Sequence, residues 1–394
     1  MPKYKFGDLV YNITEKRSPL AGDEVLYIGL EHLDSGSLRV TRWGSKVALK
    51  GDKLVMRKGD ILFGRRNTYL RRVSIAPHDG LFSAHGMILR AKTERINSEY
   101  LPFFIASDYF MDEAIRISVG SLSPTVNWKE LKELEFTIPT LEAQEKLTKT
   151  LIAANDLKEK YEELLAITDD LVKSQFIELF GDYVNQPIRW DCRKLQELIE
   201  LGWITYHLDG NHGGDYPRSE EFVKNGVSYI SANCIVDGRI DFTNAKYVTE
   251  ERSKRFRKGI AQNRDVLFAH NATVGPVAIL ETQDPIVILG TSLTAYRCNT
   301  EKLLPEYLKT YLECDYFVRQ YEAEMQQSTR KQVPITTQRK YTVVVPKIES
   351  QKQFVTFIEQ TDKSKFVAYQ ETIFIDKILK YTYNHTFRRK NNVH

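Results

Sequence analysis

The sequence predicts an α+β fold built from two similar mixed α/β domains, each followed by a long helix. Three observations predict it. The stretch Ile138-Pro139-Thr140-Leu141-Glu142-Ala143-Gln144 returns 207 positions later as Val345-Pro346-Lys347-Ile348-Glu349-Ser350-Gln351. An ordered series of further matches runs upstream from both copies. Each copy then opens a run with apolar residues at steps of three and four, the spacing of an amphipathic helix.

At that offset Leu89-Arg90 falls on Tyr296-Arg297, Glu99-Tyr100-Leu101 on Glu306-Tyr307-Leu308, Tyr109-Phe110 on Tyr316-Phe317, Ser121 on Ser328 and Val126 on Val333. Further upstream the offset shrinks in one direction, as insertions in one copy require. Asp60 to Phe63 pairs with Asp265 to Phe268, Val25 to Ile28 with Val227 to Ile230, and Lys5 to Leu9 with Lys194 to Leu198. The largest insertion lies between Ile204 and Phe222. The expected boundaries are a first domain over 1–139, a helix over 140–181, a second domain over 182–346 and a helix over 347–390.

The first domain opens with strands. Val25 to Leu30 and Gly59 to Phe63 are short apolar runs bounded by Gly and Asp, and Asp34 to Ser37 reads as a tight turn. Arg65, Arg66, Asn67, Thr68, Tyr69, Leu70, Arg71 and Arg72 follow. With Arg57 and Lys58 this segment sets six basic side chains against one acid, Asp60. A solvated loop beside a strand accounts for such a run as readily as a binding site does. The interleaved Asn, Thr and Tyr suit a mixture of phosphate and base-edge contacts. Phe82 to Ala91 reads as a strand and Asn97 to Val119 as a single helix capped by Ser98. Gly120 to Val126 is a hydroxyl-rich loop, Trp128 to Leu131 a short turn, and Leu134 to Ile138 a last strand.

The first long helix carries Leu147, Leu151, Ala154, Leu157, Tyr161, Leu164, Leu165, Thr168, Leu171 and Phe176 as an apolar seam. No Gly or Pro interrupts it from Thr140 to Phe180, before Gly181-Asp182 ends it. Its length, about 60 Å at ~1.5 Å per residue, exceeds what one small domain can cover and favours a spacer or coiled-coil arm over a core helix.

The second half repeats the plan with different polar residues. Asp209 to Pro217 is a Gly-, Asn- and Asp-rich inserted loop. His207, His212 and Asp215 lack the CxxC or HExxH context of a metal centre, so no metal is expected there. Arg252, Lys254, Arg255, Arg257 and Lys258 form a basic cluster. His270-Asn271-Ala272-Thr273 stands where the first half has the arginine loop, and Gln326 to Gln332 where it has Gly120 to Val126. The last helix carries Phe354, Ile358, Phe366, Tyr369, Ile373, Leu379 and Tyr383.

Composition bounds the rest. The 394 residues are 42% hydrophobic and 27% charged with a net charge of +4, which permits nucleic-acid binding without demanding it. Four scattered cysteines suggest neither a disulfide framework nor a zinc site and suit a reducing cytoplasm. Met1 to Asp8 do not resemble a secretory signal, and no apolar run reaches the ~20 residues of a membrane span. A soluble cytoplasmic protein is expected. There is no P-loop, no Asn-Pro-Pro-Tyr/Phe motif of an adenine methyltransferase, no GxSxG and no nuclease carboxylate cluster. A duplicated frame with altered loop tips and no catalytic set points to recognition rather than catalysis.

These features together resemble the DNA-specificity subunit of type I restriction-modification systems. The carriers are the units at Pro139–Gln144 and Pro346–Gln351, the strands after Asp60 and Asp265, and Asp209 to Gly213 ahead of Gly226 to Ser231. The resemblance spans essentially the whole chain. It implies that each domain is a target-recognition domain reading one half of a split sequence in double-stranded DNA. It implies that the two long helices pack as an antiparallel coiled coil, giving a pseudo-twofold internal repeat and a fixed spacing. It further implies methyltransferase subunits, usually two, docked on the helical regions and an ATP-dependent restriction subunit. S-adenosylmethionine would be bound by the methyltransferase, with no cofactor on this chain. The aromatic residues of the second helix depart from the leucine seam of the first.

On that reading the base and phosphate contacts of the first domain fall to Arg65, Arg66, Asn67, Arg71, Arg72, Ser121, Ser123 and Thr125. Those of the second fall to His270, Asn271, Thr273, Gln327, Ser328, Thr329, Arg330 and Gln332. Arginine suits guanine and Asn or Gln suits adenine, each as a bidentate pair. Leu147, Leu151, Leu157, Tyr161, Leu164, Phe354, Ile358, Phe366 and Tyr369 are the expected partner surface. Two other readings stay open: the specificity subunit of a related two-subunit nuclease-methyltransferase, and a coiled-coil scaffold that binds no DNA.

Overall fold

The computed structural model describes residues 2–211, 213, 216–326 and 331–388. It resolves into two compact units. One is Met1–Leu164 with the C-terminal segment from Val367, and the other is Leu165–Phe366. Each unit thus contains one globular domain, part of one long helix and part of the other.

In the first unit, Lys3–Lys5 pairs antiparallel with Glu135–Thr137, tying the start of the domain to its last strand. A four-stranded sheet runs in the order Val10–Ile13, Met87–Ala91, Ile61–Phe63, Val73–Ile75. A second sheet runs Lys16–Arg17, Lys53–Met56, Gly80–Phe82, Tyr27–Ile28, with its last two strands parallel. The second unit repeats this. Asp191–Lys194 pairs with Thr342–Val345. One sheet runs Ile204–Asp209, Leu293–Cys298, Val266–Asn271, Thr273–Ile279. The other contains the parallel pair Val227–Ile230 and Val287–Leu289.

The duplication is physical as well as textual. Asp60 forms a bidentate ion pair with Arg90 at 2.7 and 2.9 Å, and its Oδ2 accepts the Arg57 N–H at 2.8 Å. Asp265 does the same with Arg297 at 2.8 and 2.8 Å and with the Gln262 N–H at 2.8 Å. Both carboxylates are buried, and a buried charge persists only where it is paired and hydrogen-bonded.

The repeated Pro-to-Gln motif is a clamp. Gln144 is fully buried at the start of the helix Leu141–Phe180. Its Oε1 accepts the Asn97 N–H at 2.7 Å, and its Nε2 donates to the Pro139 carbonyl at 2.8 Å. Gln351 repeats both bonds at the start of Ile348–Arg388, accepting from Leu304 N–H at 2.9 Å and donating to Pro346 at 2.8 Å. One side chain therefore joins the end of a strand, the start of a long helix and the entry to a short helix.

The two long helices run antiparallel within each unit. In the first, Leu151 shares a core with Ile375 and Leu379, and Lys158 ion-pairs with Asp376 at 2.9 Å. In the second, Asp169 pairs with Lys365, and the Phe354 ring lies 5.5 Å from both Phe176 and Phe180. Gly181, at φ 100°, ends the first helix with its N–H on the Ile177 carbonyl at 2.8 Å.

Some local expectations need correction. The single helix over 97–119 is two, Leu101–Ala106 and Asp108–Arg116. Ser107 breaks it, because its Oγ accepts the Phe110 N–H and donates to the Phe104 carbonyl. Ser98 caps neither helix: Leu101–Ala106 starts after Tyr100 without a side-chain cap, and Asn97 holds the preceding turn, its Oδ1 accepting from Glu99 at 2.8 Å and Tyr100 at 3.2 Å. The strand expected over 82–91 is interrupted by a turn at Ser83–Gly86, with strands on either side. Of Val25 to Leu30 only Tyr27–Ile28 is extended in a sheet.

Candidate nucleic-acid interface

The two candidate loops of the first domain meet. Arg66 and Thr125 form an antiparallel bridge, flanked by Asn67 N–H to the Pro124 carbonyl at 2.7 Å and Val126 N–H to the Arg65 carbonyl at 3.0 Å. The second loop closes on itself through Val119 and Thr125, which exchange backbone bonds at 3.1 and 2.9 Å. The result is a narrow ribbon laid beside the turn that follows Phe63. Arg66 is exposed at this junction, with Nη2 3.4 Å from Ser123 Oγ.

The turn itself is strained. A short 3-10 segment, Thr68–Leu70, is flanked by Asn67 at φ 55° and Arg71 at φ 50°. Left-handed non-glycine residues cost about 1–3 kcal/mol each and concentrate at functional sites. Thr68 is buried and donates to the Arg65 carbonyl at 2.8 Å, which holds the turn from inside. Arg65 Nε and Asn67 Oδ1 are buried without a hydrogen-bond partner among the described residues. Such groups are uncommon in folded proteins, and a bound ligand is one way to satisfy them.

Not every candidate faces outward for use. The Arg71 guanidinium is held by Asp108 at 2.7 Å and by Asp112 at 2.5 Å, so its charge is neutralised within the domain. Arg72 is half-buried, bridging Ser35 through its backbone and lying against Gly64. Thr125 Oγ1 donates to the Ser123 carbonyl at 2.9 Å, which makes it part of the loop's frame. Ser121 is exposed and Ser123 half-buried.

The second domain builds the same junction. Asn271 bridges Gln332, Ala272 N–H reaches the Lys331 carbonyl at 3.2 Å, and Val333 N–H reaches the His270 carbonyl at 2.8 Å. Ala272, at φ 65°, occupies the corner that Asn67 occupies in the first domain. Ala272, Thr273 and Gln332 are exposed and Asn271 half-exposed. Gln327, Ser328, Thr329 and Arg330 lie outside the described residues, as do His212 and Asp215.

His270 is the clearest departure from the sequence reading. Its ring is buried, with Nδ1 2.8 Å from Thr294 Oγ1. Thr294 accepts from Gln338 Nε2 at 3.0 Å, and Gln338 also donates to the Val333 carbonyl at 2.9 Å. Gln338 Oε1 accepts from Tyr296 at 2.5 Å and lies 3.3 Å from His207 Nε2. Burial pushes the His207 imidazole down to about 4, against a smaller upward pull from the Gln338 hydrogen bond. Thr294, Tyr296 and Gln338 match Met87, Leu89 and Leu131 of the first domain, all three in its apolar core, while His207 matches Asn12 and His270 matches Arg65. At those three positions the second domain supports its junction with hydrogen-bonding side chains where the first uses hydrocarbon. Lys331 is exposed directly opposite Ala272, a cation the sequence reading passed over although it sits in the run Arg330-Lys331-Gln332.

The helix candidates divide into a packed set and an exposed set. Leu151 and Phe354 are buried, and Leu147, Tyr161 and Ile358 pack on the cores, so these five hold the chain together. Leu157, Leu164, Phe366 and Tyr369 are 45, 43, 57 and 55% exposed, alongside exposed Ile167, Leu171 and Phe374. Among the described residues no three His, Cys, Asp or Glu side chains group as a metal site, and no helix is long and apolar enough to cross a membrane.

The model of the type I restriction modification DNA specificity domain matches residues 20–165 and 187–372. The MjaVIII specificity subunit of a type I restriction enzyme from Methanocaldococcus jannaschii is 19% identical, over 95% of this chain and 89% of its own length. The MjaIX specificity subunit from the same organism is 25% identical over 68% of this chain and 60% of its own. The crystal structure of the type I restriction-modification S subunit from M. genitalium shares the fold, with a TM-score of 0.55 at 14% identity over 97% of this chain and 95% of that one.

Proposed function

This chain belongs to the type I restriction-modification DNA specificity family, and on that premise we propose that each domain reads one half of a split DNA target through its pair of facing loops. The chain is a specificity subunit: it recognises the DNA target, and catalysis lies in partner subunits. Subunits of this kind work in complexes with methyltransferase and restriction subunits.

One observation carries the finer reading. Both domains hold the same loop-to-loop junction, bond for bond, yet present Arg65, Arg66, Asn67, Ser121 and Ser123 in one case and Asn271, Thr273, Lys331 and Gln332 in the other. A constant frame with changed tips is what two readers of different half-sites require. Arg66 offers a bidentate donor pair for guanine, and Asn271 and Gln332 offer amides for adenine. The buried Arg65 Nε and Asn67 Oδ1, unpartnered among the described residues, support a ligand at the first junction. Arg71 serves the fold, and His270 supports its loop from beneath.

The helices set the distance between half-sites, and exposed apolar side chains on them, Leu157, Leu164 and Tyr369 in the first unit and Phe366 in the second, receive two methyltransferase subunits. Those subunits carry S-adenosylmethionine, and an ATP-dependent restriction subunit completes the assembly. Selection of random duplex DNA by the chain assembled with its methyltransferase tests this reading. Enrichment of two short elements at a fixed separation is expected, and enrichment of one continuous element or of none contradicts it.

A further inference from the structure

The first junction exposes an apolar tip that the polar contacts leave unused. Leu122 is 95% exposed at the apex of the ribbon, with Val119 62% and Tyr69 55% exposed on the same junction. Lone exposed leucines are unremarkable, but the two facing loops carry three exposed large apolar side chains between them, and Leu122 is the most exposed. The backbone fixes the apex: Gly120 sits at φ 112°, where a Cβ would come within 3.3 Å of the Ser123 carbonyl oxygen. Serines flank Leu122 on both sides, and Arg66 lies against Ser123. An apolar group framed by hydroxyls and a guanidinium matches one feature of the DNA major groove, the thymine C5-methyl set among base-edge donors and acceptors. The groove also admits a two-stranded ribbon of this kind.

We infer that Leu122 is a specificity-determining residue of the first domain that packs on a thymine methyl in its half-site. The inference rests on the DNA-reading function proposed above. Leu122 lies in the first domain alone, and the sequence puts Thr329 at the matching position of the second, so the effect of replacing Leu122 belongs to one half-site only.

The test uses the full chain assembled with its methyltransferase and duplexes bearing its selected target, each thymine replaced in turn by deoxyuridine, which lacks the methyl. One position in the half-site read by the first domain should weaken wild-type binding about four-fold, the worth of one buried methyl-sized group. Leu122→Ala should bind the thymine and deoxyuridine forms of that position equally. Because Leu122 is exposed, the variant folds as the wild type does, and an unchanged melting temperature checks this. Equal responses of wild type and Leu122→Ala at every position, or a half-site without thymine, overturn the inference while leaving the split-target reading intact. Failure of the wild type to select any split target overturns that reading itself.

Discussion

Asn67 and Ala272 hold the same left-handed conformation at the same corner of their domains, with φ of 55° and 65°. Each sends its N–H across the junction, to the carbonyl of Pro124 in one case and of Lys331 in the other. The backbone is common to both, and the side chain at the corner is amide in one domain and methyl in the other.

That comparison separates conformation from contact. Glycine tolerates the left-handed region, so Asn67→Gly and Ala272→Gly should each leave stability within about 1 kcal/mol of wild type, strain relief offsetting greater unfolded-state freedom. Only Asn67→Gly removes a polar side chain. It should relax recognition at one base pair of the first half-site by about 1–3 kcal/mol, whereas Ala272→Gly should leave the preference unchanged. Binding to single-base variants of the target and a melting curve measure the two effects.

The clamp at the helix starts makes a second prediction. Gln144→Ala leaves the Asn97 N–H without its partner, and Gln351→Ala does the same to Leu304. A buried unsatisfied group costs about 1–3 kcal/mol, so both variants should lower the melting temperature by similar amounts. Hydrogen exchange should quicken at Asn97 in the first and at Leu304 in the second. Unchanged exchange at those amides would show that the clamp contributes nothing.

The buried His207 predicts an acid-sensitive second domain. Its folded pKa, down to about 4, lies below the unfolded value near 6.5. As pH falls, the unfolded chain takes up the proton first. Stability from this residue is therefore complete above about pH 6.5 and is lost progressively toward pH 4, by roughly 3 kcal/mol in all. His207→Asn, which borrows Asn12 of the first domain (opposite Leu89 as His207 is opposite Tyr296), should flatten that part of the stability–pH curve. An unchanged slope in the variant would assign the acid sensitivity to other groups.

The packed and exposed residues of the long helices should separate folding from assembly. Leu151→Asp places a carboxylate in a core and should destabilise the chain by several kcal/mol. Leu157→Asp and Tyr369→Asp alter exposed positions and should melt within about 0.5 kcal/mol of wild type. On the reading proposed here they nevertheless weaken capture of the methyltransferase in a co-purification.

The sequence carried the duplication, both long helices and the pairing of loops to domains, because these rest on spacing and on backbone-forming residues such as Pro139 and Gly181. It did not reveal which tip side chains point outward. His270 looked like a loop residue, but the strand Val266–Asn271 lies between two cores, with Val266 and Phe268 facing one and Leu267 and Ala269 the other. The ladder runs past the apparent tip and takes His270 inside. Arg71 looked free because its carboxylate partners, Asp108 and Asp112, are 37 and 41 positions away along the chain. The helix seam was legible as one stripe, but only packing shows that Leu151 and Leu157 face different surroundings.

The most direct test of the central claim is a genome-wide map of methylated bases in cells co-expressing this chain, wild type or Arg66→Ala, with its methyltransferase. The account predicts a split motif for the wild type, and for Arg66→Ala a change confined to one half with the other half and the spacing unchanged. Equal weakening of both halves, with no change of preferred base in either, would make Arg66 a phosphate contact and contradict its role as a reader.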